Sequence, residues 1–153
     1  MTPRTDRAAR AIRASPAALY RAFAHPGAME AWLPPEGMTG RMLAFDFRDG
    51  GSYRMRLTYD DPGHPPGKSS DDADEVEVRF LELIPDRSIV QAVTFDSPDP
   101  RFAGVMTMIW TFVPGPSGTG VTVRCDDVPE GIRREDHEAA LASTLENLAR
   151  FTE

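Results

Sequence analysis

The chain has 153 residues, of which 41% are hydrophobic and 27% charged, and its formal charge is −7. That length suits one domain over residues 1–153, and the negative balance argues against a nucleic-acid surface, which needs clustered cations. A single cysteine, Cys125, excludes an internal disulfide, no apolar run approaches the roughly 18 residues of a membrane span, and the expected location is the cytoplasm.

In chain order, Thr5 to Ala14 reads as a first strand. Its Arg-rich start has no apolar core and contains Asp6, so it does not read as a targeting segment. Ser15-Pro16 is an N-cap followed by a proline suited to the first helical position, which predicts a short helix through Leu19, Tyr20 and Phe23. His25-Pro26-Gly27 breaks it, and a second short helix carries Met29, Trp32 and Leu33 as far as Pro34-Pro35. From Met38 the period changes to two: Leu43, Phe45 and Phe47 alternate, and Asp49-Gly50-Gly51 turns a hairpin into Tyr53, Met55, Leu57 and Tyr59. Asp60 to Asp74 is polar, rich in Pro, Gly, Ser and Asp, and predicts a mobile loop. Strands resume at Val76-Val78-Phe80, at Ile89 to Phe95, at Val105 to Val113 and at Val121 to Asp126. Short connections between them argue for an antiparallel meander of six or seven strands.

The last segment, from Glu135 onward, carries Leu141, Leu145 and Leu148 at helical spacing. Each buried Leu is worth roughly 1.5–3 kcal/mol, so this stripe needs a partner, and the apolar face of the sheet is the large surface available. Alternation places Tyr53, Met55, Leu57 and Tyr59 on that face with Met106, Met108, Trp110, Phe112, Val121, Val123 and Cys125. It also places Glu82 and Gln91 there, two polar groups that burial would penalise unless they are satisfied. A gap between sheet and helix is therefore the place to look for a ligand. The candidate lining is Trp32, Tyr53, Met55, Tyr59, Glu82, Gln91, Met106, Met108, Trp110, Leu141 and Leu145.

Each chemical signal has a plainer reading beside it. Glu82 and Gln91 would orient a ligand in an apolar pocket, but a carboxylate near Pro85 equally reaches a rim or pairs with an Arg. His137 and Glu138 diverge by about 100° around a helix, so a solvated first turn, where anions suit the macrodipole, is the better reading. Trp32, Trp110, Met106 and Met108 suit a cavity wall and a packed core nearly equally. His25, His64 and His137 lack ligand spacing, and Asp71, Asp72, Asp74 and Glu75 lack the calcium-loop pattern, so no metal site and no cofactor is expected. Lys68 lies in the polar loop and is a poor Schiff-base candidate. Cys125 has only Arg124 as a basic neighbour, on the opposite face, which argues against a cysteine nucleophile.

Several segments, taken in order, resemble one family. Ala14-Ser15-Pro16, Trp32-Leu33 with Pro35-Glu36-Gly37-Met38, the hairpin Phe45-Asp46-Phe47-Arg48-Asp49-Gly50-Gly51-Ser52-Tyr53, and Glu82-Leu83-Ile84-Pro85 before Ile89-Val90 are similar to SRPBCC proteins. So are Gly118 to Val123 and the helix Glu135 to Ala149. The resemblance is to those related to the C-terminal domain of activators of the heat-shock chaperone ATPase. It implies an α+β helix-grip fold, shared with START and plant pathogenesis-related proteins: a curved antiparallel sheet, two short helices and a long C-terminal helix around a cavity. Ala140 stands where relatives carry Gly, and Leu141 where many carry Trp, so the cavity roof differs. The leading expectation is a non-catalytic module for a small hydrophobic or amphipathic molecule. The alternatives are a polyketide cyclase- or hydrolase-like enzyme, with Glu82, Gln91, Tyr53 and Tyr59 converging on one point, and an interaction module for a chaperone-type protein partner. A homodimer stays open.

Overall fold

A computed structural model describes residues 4–61 and 72–153. Seven strands form one sheet: β1 (Thr5–Ile12), β2 (Met38–Phe45), β3 (Ser52–Tyr59), β4 (Ala73–Ile84), β5 (Ser88–Phe95), β6 (Met106–Gly115) and β7 (Gly118–Asp126). Their spatial order is β1-β7-β6-β5-β4-β3-β2, and every neighbouring pair is antiparallel. Strands β2 to β7 are thus a meander, as the short connections predict, and β1 returns to its far edge beside β7.

Helix α1 (Pro16–Arg21) starts where the sequence places it, with the Ser15 hydroxyl accepting from the Ala18 amide at 3.1 Å. Helix α2 (Pro26–Trp32) follows directly. Both lie between β1 and β2 in the chain, and their apolar residues Leu19, Met29 and Trp32, with Phe23 from the turn that joins them, are fully buried. The Trp32 ring donates its N–H to the Ala22 carbonyl at 2.9 Å and meets Phe23 and Trp110 edge to face.

The Asp49-Gly50-Gly51 turn uses its two glycines for different reasons. Gly50 sits at φ 77°, a conformation that side chains disfavour. A Cβ on Gly51 would stand 2.3 Å from the Asp46 carbonyl oxygen, inside any permitted contact.

The long helix α3 (Arg134–Thr152) lies on the inner face of the sheet, burying Leu141, Thr144, Leu145, Leu148 and Ala149. Polar contacts fix its position on both sides. Toward β1, the Glu138 and Glu153 carboxylates accept the Arg7 and Arg13 amides at 3.0 and 3.1 Å. Toward the segment between α2 and β2, Thr144 and Asn147 donate to the Leu33 and Pro34 carbonyls at 3.0 and 2.8 Å, and the Ser143 hydroxyl accepts from the Glu36 amide.

Two expectations need correction. β4 begins at Ala73, so Ala73 and Asp74, read from sequence as loop, are strand residues, and both are buried. Residues 62–71 of that polar stretch, with His64, Lys68 and Asp71, lie outside the described residues. Glu82 does not face inward. The β4–β5 register shifts between Phe80 and Glu82, so Leu81 and Glu82 are both exposed before Leu83 packs on the core. A bulge adds one residue to the strand and inverts the alternation beyond it.

Candidate functional site

Where α3 crosses the sheet it leaves a cavity of about 260 Å³. Its floor is Tyr53, Leu57 and Tyr59 of β3, Val76 and Val78 of β4, Val93 and Phe95 of β5, and Met106 and Met108 of β6. Its roof is His137, Ala140, Leu141 and Thr144 of α3, while Leu33, Pro35 and Met38 close one side. Each strand supplies alternate residues because only one face of the pleat meets the helix. The lining is predominantly apolar, as in sites that enclose small molecules. A wider groove of about 450 Å³, lined by Pro34, Glu36, Asn147, Arg150 and Phe151, lies on the surface and is more polar.

Asp74, Asp136, His137 and Tyr59 all border the cavity. Burial raises the Tyr59 hydroxyl above its ordinary value, and the negative charges of Asp74 and Asp136 raise it further. Tyr53, deeper in, is likewise raised by burial, so both phenols stay protonated near neutral pH. Behind His137 sits Asp6, with no exposed surface. The His137 Nδ1 lies 2.8 Å from one Asp6 oxygen, and Arg4 grips both carboxylate oxygens at 3.1 and 2.9 Å. Arg134 stands 3.6 Å away. Burial alone would raise the Asp6 carboxyl. The hydrogen bonds from His137 and Arg4 and the charge of Arg4 outweigh it, so Asp6 is held below its usual value.

This arrangement of sheet, cavity and gripping helix is the one to compare with known proteins. The family model described as Activator of Hsp90 ATPase homolog 1-like protein matches residues 13–153. The chain belongs to that family. Among solved structures, this member of the family is similar to a Chromobacterium violaceum protein, at 30% identity, 98% coverage of each chain and a TM-score of 0.84. A Rhizobium loti protein shares the fold at 23% identity, with 98% and 97% of the two chains covered and a TM-score of 0.73. A Rhizobium leguminosarum protein does so at 16% identity, with 98% and 94% covered and a TM-score of 0.73. No protein of curated function matches the chain. The helix-grip fold and the family together support a ligand-binding or Hsp90-ATPase-activator-like domain.

Within this family member, the sequence-derived candidates other than Gln91 divide into three groups. Tyr53, Tyr59, Met106, Met108 and Leu141 border the cavity. Trp32, Met55, Trp110 and Leu145 are buried in the core and are not in its wall. Trp32 and Trp110 instead join Phe23 and Phe112 in an edge-to-face cluster with centroid distances of 4.8 to 5.8 Å. Glu82 is exposed beyond the bulge and cannot converge with Gln91, Tyr53 and Tyr59.

Gln91 is inward, as alternation requires, and 1% exposed. Neither its side-chain N–H group nor its carbonyl oxygen has a hydrogen-bond partner among the described residues. Leaving such groups unmet costs about 1–3 kcal/mol each.

Sequence reasoning did not place Asp6 or Asp74 at the site, and it weighed His137 but favoured a solvated first turn for it. His137 is not part of a solvated turn: its side chain is only 12% exposed because it packs on β1 against Asp6. The available signal was an Asp at an inward position of the first strand, in step with Ile12. Cys125 is buried, and burial, with Asp6 and Asp126 nearby, pushes its thiol up to about 12, so it is no nucleophile at neutral pH. Among the described residues, no group of three or more His, Cys, Asp or Glu could hold a metal ion. No helix among them is long and apolar enough to cross a membrane.

Proposed function

We propose that the chain, folded as one unit over residues 1–153, binds a small hydrophobic or amphipathic molecule between the sheet and α3. The observation that carries this is the predominantly apolar cavity of about 260 Å³, bordered by a few polar groups that include Asp74, Asp136, His137 and Tyr59. An apolar floor and roof give affinity through burial, while Asp136, His137 and Tyr59 are available to the polar end of the ligand. The volume is slightly below the roughly 300–1,000 Å³ of drug-sized sites, so the ligand is small. Asp74 and Asp136, which border the cavity, disfavour an anionic head, so neutral amphiphiles bind ahead of the matching fatty acids.

Melting curves of the whole chain against fatty acids, aromatic polyketide-like compounds and isoprenoids test this reading. A ligand at 100 times its Kd adds about 2.7 kcal/mol of stability. The expected result is a rise in Tm that Ala140→Phe abolishes, because a larger side chain on the roof fills the space. If no compound shifts the wild-type Tm, the cavity reading is overturned. The family's chaperone partnership then becomes the reading to test, by adding the chain to an Hsp90 ATPase assay.

A further inference from the structure

The unpartnered amide of Gln91 sets a requirement on the ligand. Gln91 stands on the inward face of β5 between Ile89 and Val93, opposite Phe80 on β4 and Met108 on β6. Val93 and Met108 are in the cavity wall, and Gln91, directly across from Met108 and two residues from Val93 on the same face, stands next to that wall without being part of it. Met108 is unbranched and only half-buried, the kind of side chain that repacks readily to admit a group past it. A leucine or methionine at position 91 would fill this apolar row with no unmet polar atoms. The amide instead offers one acceptor and two donor hydrogens.

We propose that the ligand enters with a neutral hydrogen-bonding group foremost, a hydroxyl, ketone or carboxamide, which Gln91 holds at the cavity wall. This rests on the ligand-binding reading above. Neutrality follows from the surroundings: Ile89, Val93, Phe80 and Met108 carry no charge, so a carboxylate or ammonium there would be buried without a counter-ion. A carbonyl accepts from the amide N–H, and a hydroxyl both accepts and donates, so the Gln side chain matches either.

Small phenyl-chain probes separate the possibilities. Isothermal titration and melting curves would compare phenylpropanol, phenylbutanone and phenylpropanamide with propylbenzene and phenylpropanoate, on wild type, Gln91→Met and Ala140→Phe. Wild type is expected to bind the three neutral polar probes about 10-fold tighter than propylbenzene, the scale of one net hydrogen bond. In Gln91→Met that preference vanishes, propylbenzene binding persists, and the ligand-free protein melts higher than wild type. Ala140→Phe loses every probe. If Gln91→Met keeps the full preference, or phenylpropanoate binds wild type as tightly as phenylpropanol, the role of Gln91 is overturned while the cavity reading stands. If no probe binds wild type, both are overturned.

Discussion

Asp6 shows how much one side chain can organise. It is fully buried, yet it stays charged because Arg4 and His137 supply donors to both its oxygens. His137 is thereby held with one face toward the cavity and one nitrogen committed to β1. The sign of the linkage is fixed by the direction of the shift. A carboxyl held below its unfolded value contributes stability at pH above that value and loses it as pH falls through the lower folded one. Asp6→Asn is expected to destabilise the protein by about 1–3 kcal/mol at pH 7. Its stability curve below about pH 4 should also be flatter than that of wild type. Urea unfolding across pH 2 to 8 checks both, and parallel curves for the two proteins would remove Asp6 from the acid response. At Gln91 the balance is opposite, since nothing among the described residues repays the burial of its amide.

At the scale of elements, turns and edges decide what the strands can do. The bulge at Leu81 turns Glu82 outward, so a residue two positions from a fully buried Phe80 ends up exposed. The two edges of the open sheet are closed by carboxylates from helices. Glu138 of α3 and Glu153 at its C-cap take amides of β1 and of the turn after it, and Glu30 of α2 accepts the Met42 amide of β2 at 2.7 Å. Satisfying an edge in this way removes donors that would otherwise template association. The β2–β3 turn has no such latitude. Gly51→Ala places a methyl group against the Asp46 carbonyl oxygen, and relief by backbone movement is expected to cost about 1–3 kcal/mol. Thermal unfolding of that variant checks it, and an unchanged Tm would show that the turn can relax at no cost.

For the whole molecule, the sheet order puts β5 at its centre and β1 and β2 at its edges. Local opening should therefore be graded from the middle outward. Amide exchange is expected to be slowest in β5 and β6 and fastest in β2. β1 should be intermediate, because the long α3 covers its edge while only the seven-residue α2 reaches β2. Exchange measured strand by strand checks this, and a β1 less protected than β2 would show that α3 does not clamp the edge in solution.

Much of this protein was legible in its sequence, because strand and helix periodicities are local properties of the chain. The N-cap at Ser15, the glycine pair at the β2–β3 turn, the alternation through β3, β5, β6 and β7, and the Leu141, Leu145, Leu148 stripe together specify a sheet that grips a helix. The order of those segments also identified the family, and alternation alone turned Gln91 inward. The division between cavity and core needed the tertiary structure, because alternation reports which face a residue occupies and not where along that face the helix departs from the sheet. Trp32 and Trp110 fall where packing closes, whereas Tyr59 and Met108 fall where it opens. The same limit hid the Asp6–His137 pair, whose members are 131 residues apart in the chain and meet only when α3 lies along β1.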